Sequence, residues 1–182
     1  MPGTPNTATR YGVIIADPPW KFSDKLGGAE GIGKSVRGAE AMYGCLSIRE
    51  ISRIPVEEWA AKDSLLVLWS VGCELAGAAK VMADWGFVQK GFIVWVKTLA
   101  NGGGLATGLG RQFRGASEIA LWGTRGRPKP VRKPAIPNVF HCPRLEHSRK
   151  PETVAECLER MYPDALCLEL FARRWRESSP RR

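Results

Sequence analysis

The apolar run YGVIIA, Tyr11 to Ala16, passes directly into Asp17-Pro18-Pro19-Trp20. Two β-branched isoleucine residues and a valine in an unbroken apolar hexamer predict a strand buried on both faces. The strand must stop at Asp17, because neither proline that follows can donate to a sheet ladder. In an open α/β sheet, ligand chemistry gathers beyond the carboxyl ends of the strands. The tetrapeptide therefore falls where reactive groups are expected. It offers a carboxylate acceptor at Asp17, rigid carbonyls around the Pro-Pro pair and a flat aromatic face at Trp20. Two acceptors beside a stacking surface suit an exocyclic amino group on a base taken out of its stack.

Downstream, apolar runs alternate with helical periodicities, the signature of a layered α/β domain. Ser47 to Glu50 fits a capping box, which predicts a short helix to about Arg53. Pro55 suits the first turn of a second helix through Ala61. Strands are predicted at Ser64–Trp69, Phe87–Val96, Ser117–Gly123 and Ala165–Phe171. Helices are predicted from Glu74 to Trp85, stopped by Gly86, and from Pro151 to about Met161. The spacing of the strands near 87 and 117 permits an antiparallel pair across the glycine-rich loop 98–113. Residues 21–42 read as a second glycine-rich loop.

The 182 residues contain 27 Lys and Arg against 18 Asp and Glu, a net charge of +9. That length suits one domain over 1–182, with 1–10 and 175–182 frayed. The surplus points to a polyanionic partner, nucleic acid before membrane. No apolar run of eighteen residues is present, so no membrane span is expected, and MPGTPNTATR has no signal-peptide core. Five cysteines without a CxxC pair predict free thiols in a reducing cytoplasm. The basic charge concentrates in 124–150, where prolines at 128, 130, 134, 137 and 143 keep the chain extended. Arg125, Arg127 and Lys129 are expected to meet phosphates there, with Lys21 and Arg114 near the site. The glycines at 102–110 do not match a dinucleotide fingerprint. His141, Cys142 and His147 lack the second ligand pair of a metal site, so no metal is expected. Glu118 can support the site as an acid, and Trp69, Trp95 and Trp122 read as core.

The ordered blocks YGVIIADPPW (11–20), MYGCLSIREISRIPVEEWA (42–60), LLVLW (65–69), WGF and VWVK (85–97), E–LWGTRGRP (118–128), HSRKPE (147–152) and LELFARR (168–174) resemble the adenine-N6 methyltransferases of the MT-A-seventy family. The resemblance runs from about Tyr11 to Trp175. It implies a Rossmann-like S-adenosylmethionine-dependent methyltransferase sheet with helices on both faces. It also implies a permuted order, with the catalytic tetrapeptide early and the cofactor strand late. Carried over by position, Asp17, Pro18, Pro19 and Trp20 are the catalytic motif. Lys150 would contact the cofactor carboxylate, with Asp17 and Pro18 beside it. Glu169, Phe171 and Arg173 would stand near the cofactor ribose, and Trp20 would stack on the base. The family segment ending in Trp-Gly-Asn is replaced here by RRWRESSPRR, and the loop 104–114 lacks the aromatic that many relatives carry after its second glycine.

The resemblance implies methyl transfer to the 6-amino group of adenine; small size, a cytoplasmic look and no accessory RNA-binding module favour DNA before RNA as the substrate, from a bacterium or phage. A non-catalytic nucleic-acid-binding subunit of the same fold is the reading from another class. Asp at position 17, where cytosine 4-amino enzymes usually carry Ser, favours adenine. Monomer and homodimer both remain open.

Overall fold

A computed structural model describes residues 9–21, 44–108, 112–131, 136–145 and 149–172. Six strands form one sheet: β1 (Tyr11–Ala16), β2 (Ala60–Ser70), β3 (Val88–Thr98), β4 (Ser117–Arg125), β5 (Val139–Pro143) and β6 (Cys167–Leu170). Their order is β5-β3-β4-β2-β1-β6. β1 runs parallel to β2 and β6, and β3 runs parallel to β5. β4 is antiparallel to both β2 and β3, so it alone points the other way. This is a mixed α/β sheet of the Rossmann-like methyltransferase type.

The alternation inside β1 shows why the sheet is covered twice. Ile14 and Ala16 face one layer with Ile51, Val56, Trp59, Val81, Met82 and Trp85. These belong to or border α1 (Ile48–Ser52), α2 (Val56–Trp59) and α3 (Leu75–Asp84). Val13 and Ile15 face the other layer with Val67, Trp69 and Trp95, under Val154, Ala155 and Leu158 of α4 (Thr153–Met161). Burying the Leu, Ile and Val side chains of β1 and β2 stabilises the fold by roughly 1.5–3 kcal/mol each. The expected helices on both faces are therefore present.

Local signals explain most boundaries. Ser47 caps α1: its side chain accepts from Glu50 N while Glu50 returns a bond to Ser47 N at 2.8 Å. The Ser47 hydroxyl donates to the Glu50 carboxylate at 2.6 Å, and this bond first, then the one from Ser47 N, holds the carboxyl below its usual range. Gly86 ends α3 at φ +81, a conformation that a Cβ disfavours. Two expectations need correction. β2 starts at Ala60 and cuts the predicted second helix to four residues. Residues 139–143, read as part of an extended basic loop, form β5 on the edge of β3, with Pro143 opposite Thr98. A proline fits there because an edge strand leaves one side unpaired. Of the predicted frayed ends 1–10 and 175–182, all but residues 9 and 10 lie outside the described residues, as does the predicted loop 21–42 apart from Lys21.

Candidate active site

β1 hands the chain to Asp17 at its carboxyl end, between β2 and β6. Ala16 pairs with Leu68 of β2 on one side and Leu170 of β6 on the other. One residue further on stand Asp17, Trp69 and Phe171. The chain leaves β1 toward α1–α3 on one face and reaches β6 through α4 on the other. Such a switch point opens a crevice at the carboxyl ends of the strands, where α/β sheets bind ligands. Phe171 has φ +64, the one positive φ among described non-glycine residues. A bulky residue so placed costs on the order of 1–3 kcal/mol, a strain typical of ligand-binding turns.

The turn after β1 is pinned on both sides. Trp20 N donates to Pro18 O at 2.9 Å, Leu46 N to Pro19 O at 2.8 Å and Lys21 N to Leu46 O at 2.9 Å. The Pro18 carbonyl thus already accepts one bond and has one lone pair left for a ligand. The expectation for Trp20 is corrected more sharply. Its indole is 4% exposed, lies in the α1–α3 core and donates Nε1–H to Trp69 O at 2.9 Å. Trp20 fixes the turn to β2 and presents no open stacking face in this arrangement.

The charge chemistry gathers on the α4 face. Lys150, in the segment that leads into α4, lies 2.7 Å from Asp17 Oδ2 and 3.2 Å from Glu118 Oε2. Lys97 closes the chain at 2.6 Å from Glu118 Oε1. Two carboxylates and two ammonium groups balance. Lys150 sits 5.7 Å over the Trp69 ring, and Lys97 sits 5.2 Å over the Trp95 ring. Trp95 is itself fixed by donating Nε1–H to Cys142 O at 3.0 Å. Each tryptophan is 2% exposed, so core aromatic rings form the floor under the two ammonium groups.

Sequence reading missed Lys97. The signal was present: VWVK places Trp95 and Lys97 two residues apart, on one face of a strand. Glu118 pairs with Trp95 across the β3–β4 ladder, which puts it on that same face.

The remaining site residues divide. Glu169 is in β6 level with Ile15, and Phe171 is the first residue after that strand. Lys21 follows the turn and is exposed. Arg114 is exposed on the loop that joins β3 to β4 at this end. Arg173 and His147 lie outside the described residues, as do Arg132 and Lys133 of the basic run.

Arg125, Arg127 and Lys129 are not brought to Asp17. Arg125 pairs with Ser64 near the start of β2, at the opposite end of the sheet. Seven residues of β4 separate it from Glu118, about 23 Å at strand rise. Its guanidinium donates to Glu57 O at 2.8 Å, and Arg127 N donates to Asp63 Oδ1 at 2.7 Å. Val131 N donates to Met161 O at the far end of α4, so the segment through Lys129 stays at that end.

Among the described residues, no group of three His, Cys, Asp or Glu side chains converges as a metal site would require. No helix among them is long and apolar enough to cross a membrane.

The chain is similar to several proteins of known class. It is 28% identical over 176 residues to the type II methyltransferase M.MunI of Mycoplasma sp, covering 90% of this chain and 72% of that protein. It is 30% identical over 164 residues to an N(6)-adenosine-methyltransferase MT-A70-like protein of Arabidopsis thaliana, covering 90% of this chain and 22% of that one. To the human N(6)-adenosine-methyltransferase catalytic subunit METTL3 it is 28% identical over 167 residues, with 90% and 26% covered. The chain thus spans about a quarter of the adenosine enzymes' length. The MT-A70 family model matches residues 11–180, from the first residue of β1 to beyond β6, and the chain belongs to that family.

Proposed function

We propose that this chain is an adenine-specific N6 methyltransferase acting on DNA through a single catalytic domain. The observation that carries the reading is the carboxylate of Asp17, held at the sheet's switch point by Lys150. Family membership and the names of its relatives supply the reaction class. Similarity extending over 72% of a type II methyltransferase supports DNA over RNA.

The residues fit S-adenosylmethionine as the cofactor. An ammonium has three N–H donors; Asp17 takes one from Lys150, and Glu118 stands beside it as an ion-pair partner at 3.2 Å. A further donor is left for a cofactor carboxylate. The balanced charges of the site suit a ligand with both an anionic and a cationic end. Glu169 and Phe171 border the same crevice, where the ribose side would lie. When bound, the cofactor would supply an electrophilic methyl on sulfur.

The chain's own residues set up the nucleophile. The 6-amino nitrogen of adenine delocalises its lone pair into the ring and is a weak nucleophile while planar. Asp17 accepts one N–H, and the remaining lone pair of Pro18 O accepts the other. Those two bonds would favour a pyramidal nitrogen and free its lone pair from the ring. Asp17 would also take the amine proton released on methylation. No covalent enzyme intermediate is required. Positioning of this kind contributes roughly 7–11 kcal/mol at most.

The test is incubation with labelled S-adenosylmethionine and a panel of duplex DNA, single-stranded DNA and RNA, followed by nucleoside mass spectrometry. N6-methyladenine in DNA is the expected product. Asp17→Ala is expected to reduce it at least about a hundredfold while cofactor binding persists, and Asp17→Asn to keep a trace. Near-normal turnover by Asp17→Ala overturns the assignment.

A further inference from the structure

We propose that Phe113 is the side chain that enters the stack of a nucleic-acid duplex as the target adenine leaves it, with Arg114 on the adjoining phosphate. The proposal rests on the methyltransferase reading above and adds how the substrate base is reached.

The loop from Leu99 to Ala116 joins β3 to β4 at the end of the sheet where Asp17 stands. Its base continues the hairpin beyond the strands. Lys97 N donates to Ala116 O at 2.8 Å, Ala106 N to Lys97 O at 2.8 Å and Gly108 N to Gly115 O at 2.7 Å. Phe113 lies two residues outside that last pair and is 91% exposed. It is the most exposed large apolar side chain among the described residues, ahead of Val131 at 65%.

A single exposed apolar residue is ordinary on a protein surface, so its place decides the matter. Five residues separate Phe113 from Glu118, which touches Lys150, which touches Asp17. Fully extended, five residues reach at most about 18 Å. Phe113 therefore belongs to the loop beyond the Glu118 end of β4, the end of the sheet at which Lys150 and Asp17 meet.

Chemistry at this site needs such a group. The 6-amino group of adenine is paired inside a duplex, so the base must swing out to reach Asp17. The gap it leaves loses stacking on both sides, and an apolar wedge restores that contact. Trp20 cannot serve, because its ring is in the core. Arg114, exposed and next in sequence, adds a cation where the backbone must be gripped.

The experiment compares one unmethylated bacterial genomic DNA in native and heat-denatured form, with N6-methyladenine read by nucleoside mass spectrometry. Phe113→Ala is expected to slow methylation of native DNA about tenfold and of denatured DNA less than about twofold, since the denatured base is already unstacked. Phe113→Leu is expected to recover most of the native-DNA rate. Equal losses on both forms mean a structural role and overturn the proposal. Equal losses together with a fall in molecular mass by light scattering mean a contact between copies of the chain, and overturn it too. If the unaltered protein methylates only denatured DNA, the wedge fails and the methyltransferase reading stands. If it methylates neither DNA nor RNA, the methyltransferase reading fails and the wedge falls with it.

Discussion

Lys150 Nζ stands 2.7 Å from Asp17 Oδ2, although 133 residues separate the two in sequence. The contact joins the turn after β1 to the segment that opens α4. It sets the charge state that a ligand meets. Lys150→Ala leaves the carboxylates of Asp17 and Glu118 without their shared cation and removes the donor available to a cofactor carboxylate. Affinity for S-adenosylmethionine is expected to fall about thirtyfold, on the order of 2 kcal/mol for a hydrogen bond to a charged group. Calorimetry checks it. Unchanged affinity would reduce Lys150 to a partner of Asp17 alone.

Glu118 links Lys150 to Lys97, so its removal should act through Lys150. Glu118→Gln keeps the shape and removes the charge. Both ammonium groups then crowd one site without their common acid, and Lys150 is drawn fully onto Asp17. Turnover is expected to fall more than cofactor affinity, because Asp17 becomes less available to the amine. A double-mutant cycle of Lys97→Ala with Glu118→Gln should give a coupling near 1 kcal/mol, since these side chains are partly exposed. A coupling of zero would detach Lys97 from the site.

The burial of Trp20 makes a different prediction from a stacking role. Trp20→Phe keeps an aromatic ring and removes the donor to Trp69 O. Stability measured by urea denaturation is expected to drop by about 1 kcal/mol, the net worth of one hydrogen bond. Trp20→Ala should cost roughly 3–5 kcal/mol, as for other large core truncations. Nucleic-acid affinity of the folded Trp20→Phe protein should stay within about twofold. A large affinity loss at unchanged stability would return the ring to the substrate.

Some of this was legible in the sequence, for identifiable reasons. β1 could be read from its uninterrupted apolar run and the two prolines that end it, and α1 from its capping box. The β3–β4 pair followed from two apolar runs flanking a glycine-rich loop. β5 was hidden because its five residues carry few β-branched side chains and stand between prolines, where only pairing with β3 makes them a strand. Trp20 misled because an aromatic beside a reactive turn looks like a ligand contact, whereas its indole N–H found a carbonyl on the next strand. Lys97 was overlooked because a single lysine at the end of an apolar run reads as a solvated strand end. Only the cross-strand pairing of Trp95 with Glu118 reveals which face it shares.

The basic run shows most clearly how chain order and space part company. Arg125 ends β4, Arg127 and Lys129 follow it, and in sequence all three come soon after Glu118 of the site. β4 is antiparallel to its neighbours, so the strand carries them away from the carboxyl ends of the other five. The Arg125 guanidinium is occupied by the Glu57 carbonyl. Lys21, Arg114, Arg144 and Arg149 follow β1, precede β4, follow β5 and lead into α4, all at the end of the sheet where Asp17 stands, and all four are exposed, Arg149 pairing with Glu152 at 2.6 Å. Each phosphate contact on duplex DNA contributes about −0.9 to the slope of log affinity against log salt. Neutralising Arg125, Arg127 and Lys129 together is therefore expected to leave that slope unchanged within about half a unit. Neutralising Arg114, Arg144 and Arg149 together should flatten it by roughly two to three units. Neither triple variant should alter affinity for S-adenosylmethionine by more than about twofold. Isotherms at four or more salt concentrations decide the matter. A flattened slope for the Arg125 triple would mean that the duplex wraps from the Asp17 end around to the far end of the sheet, a path of at least the ~23 Å that β4 spans.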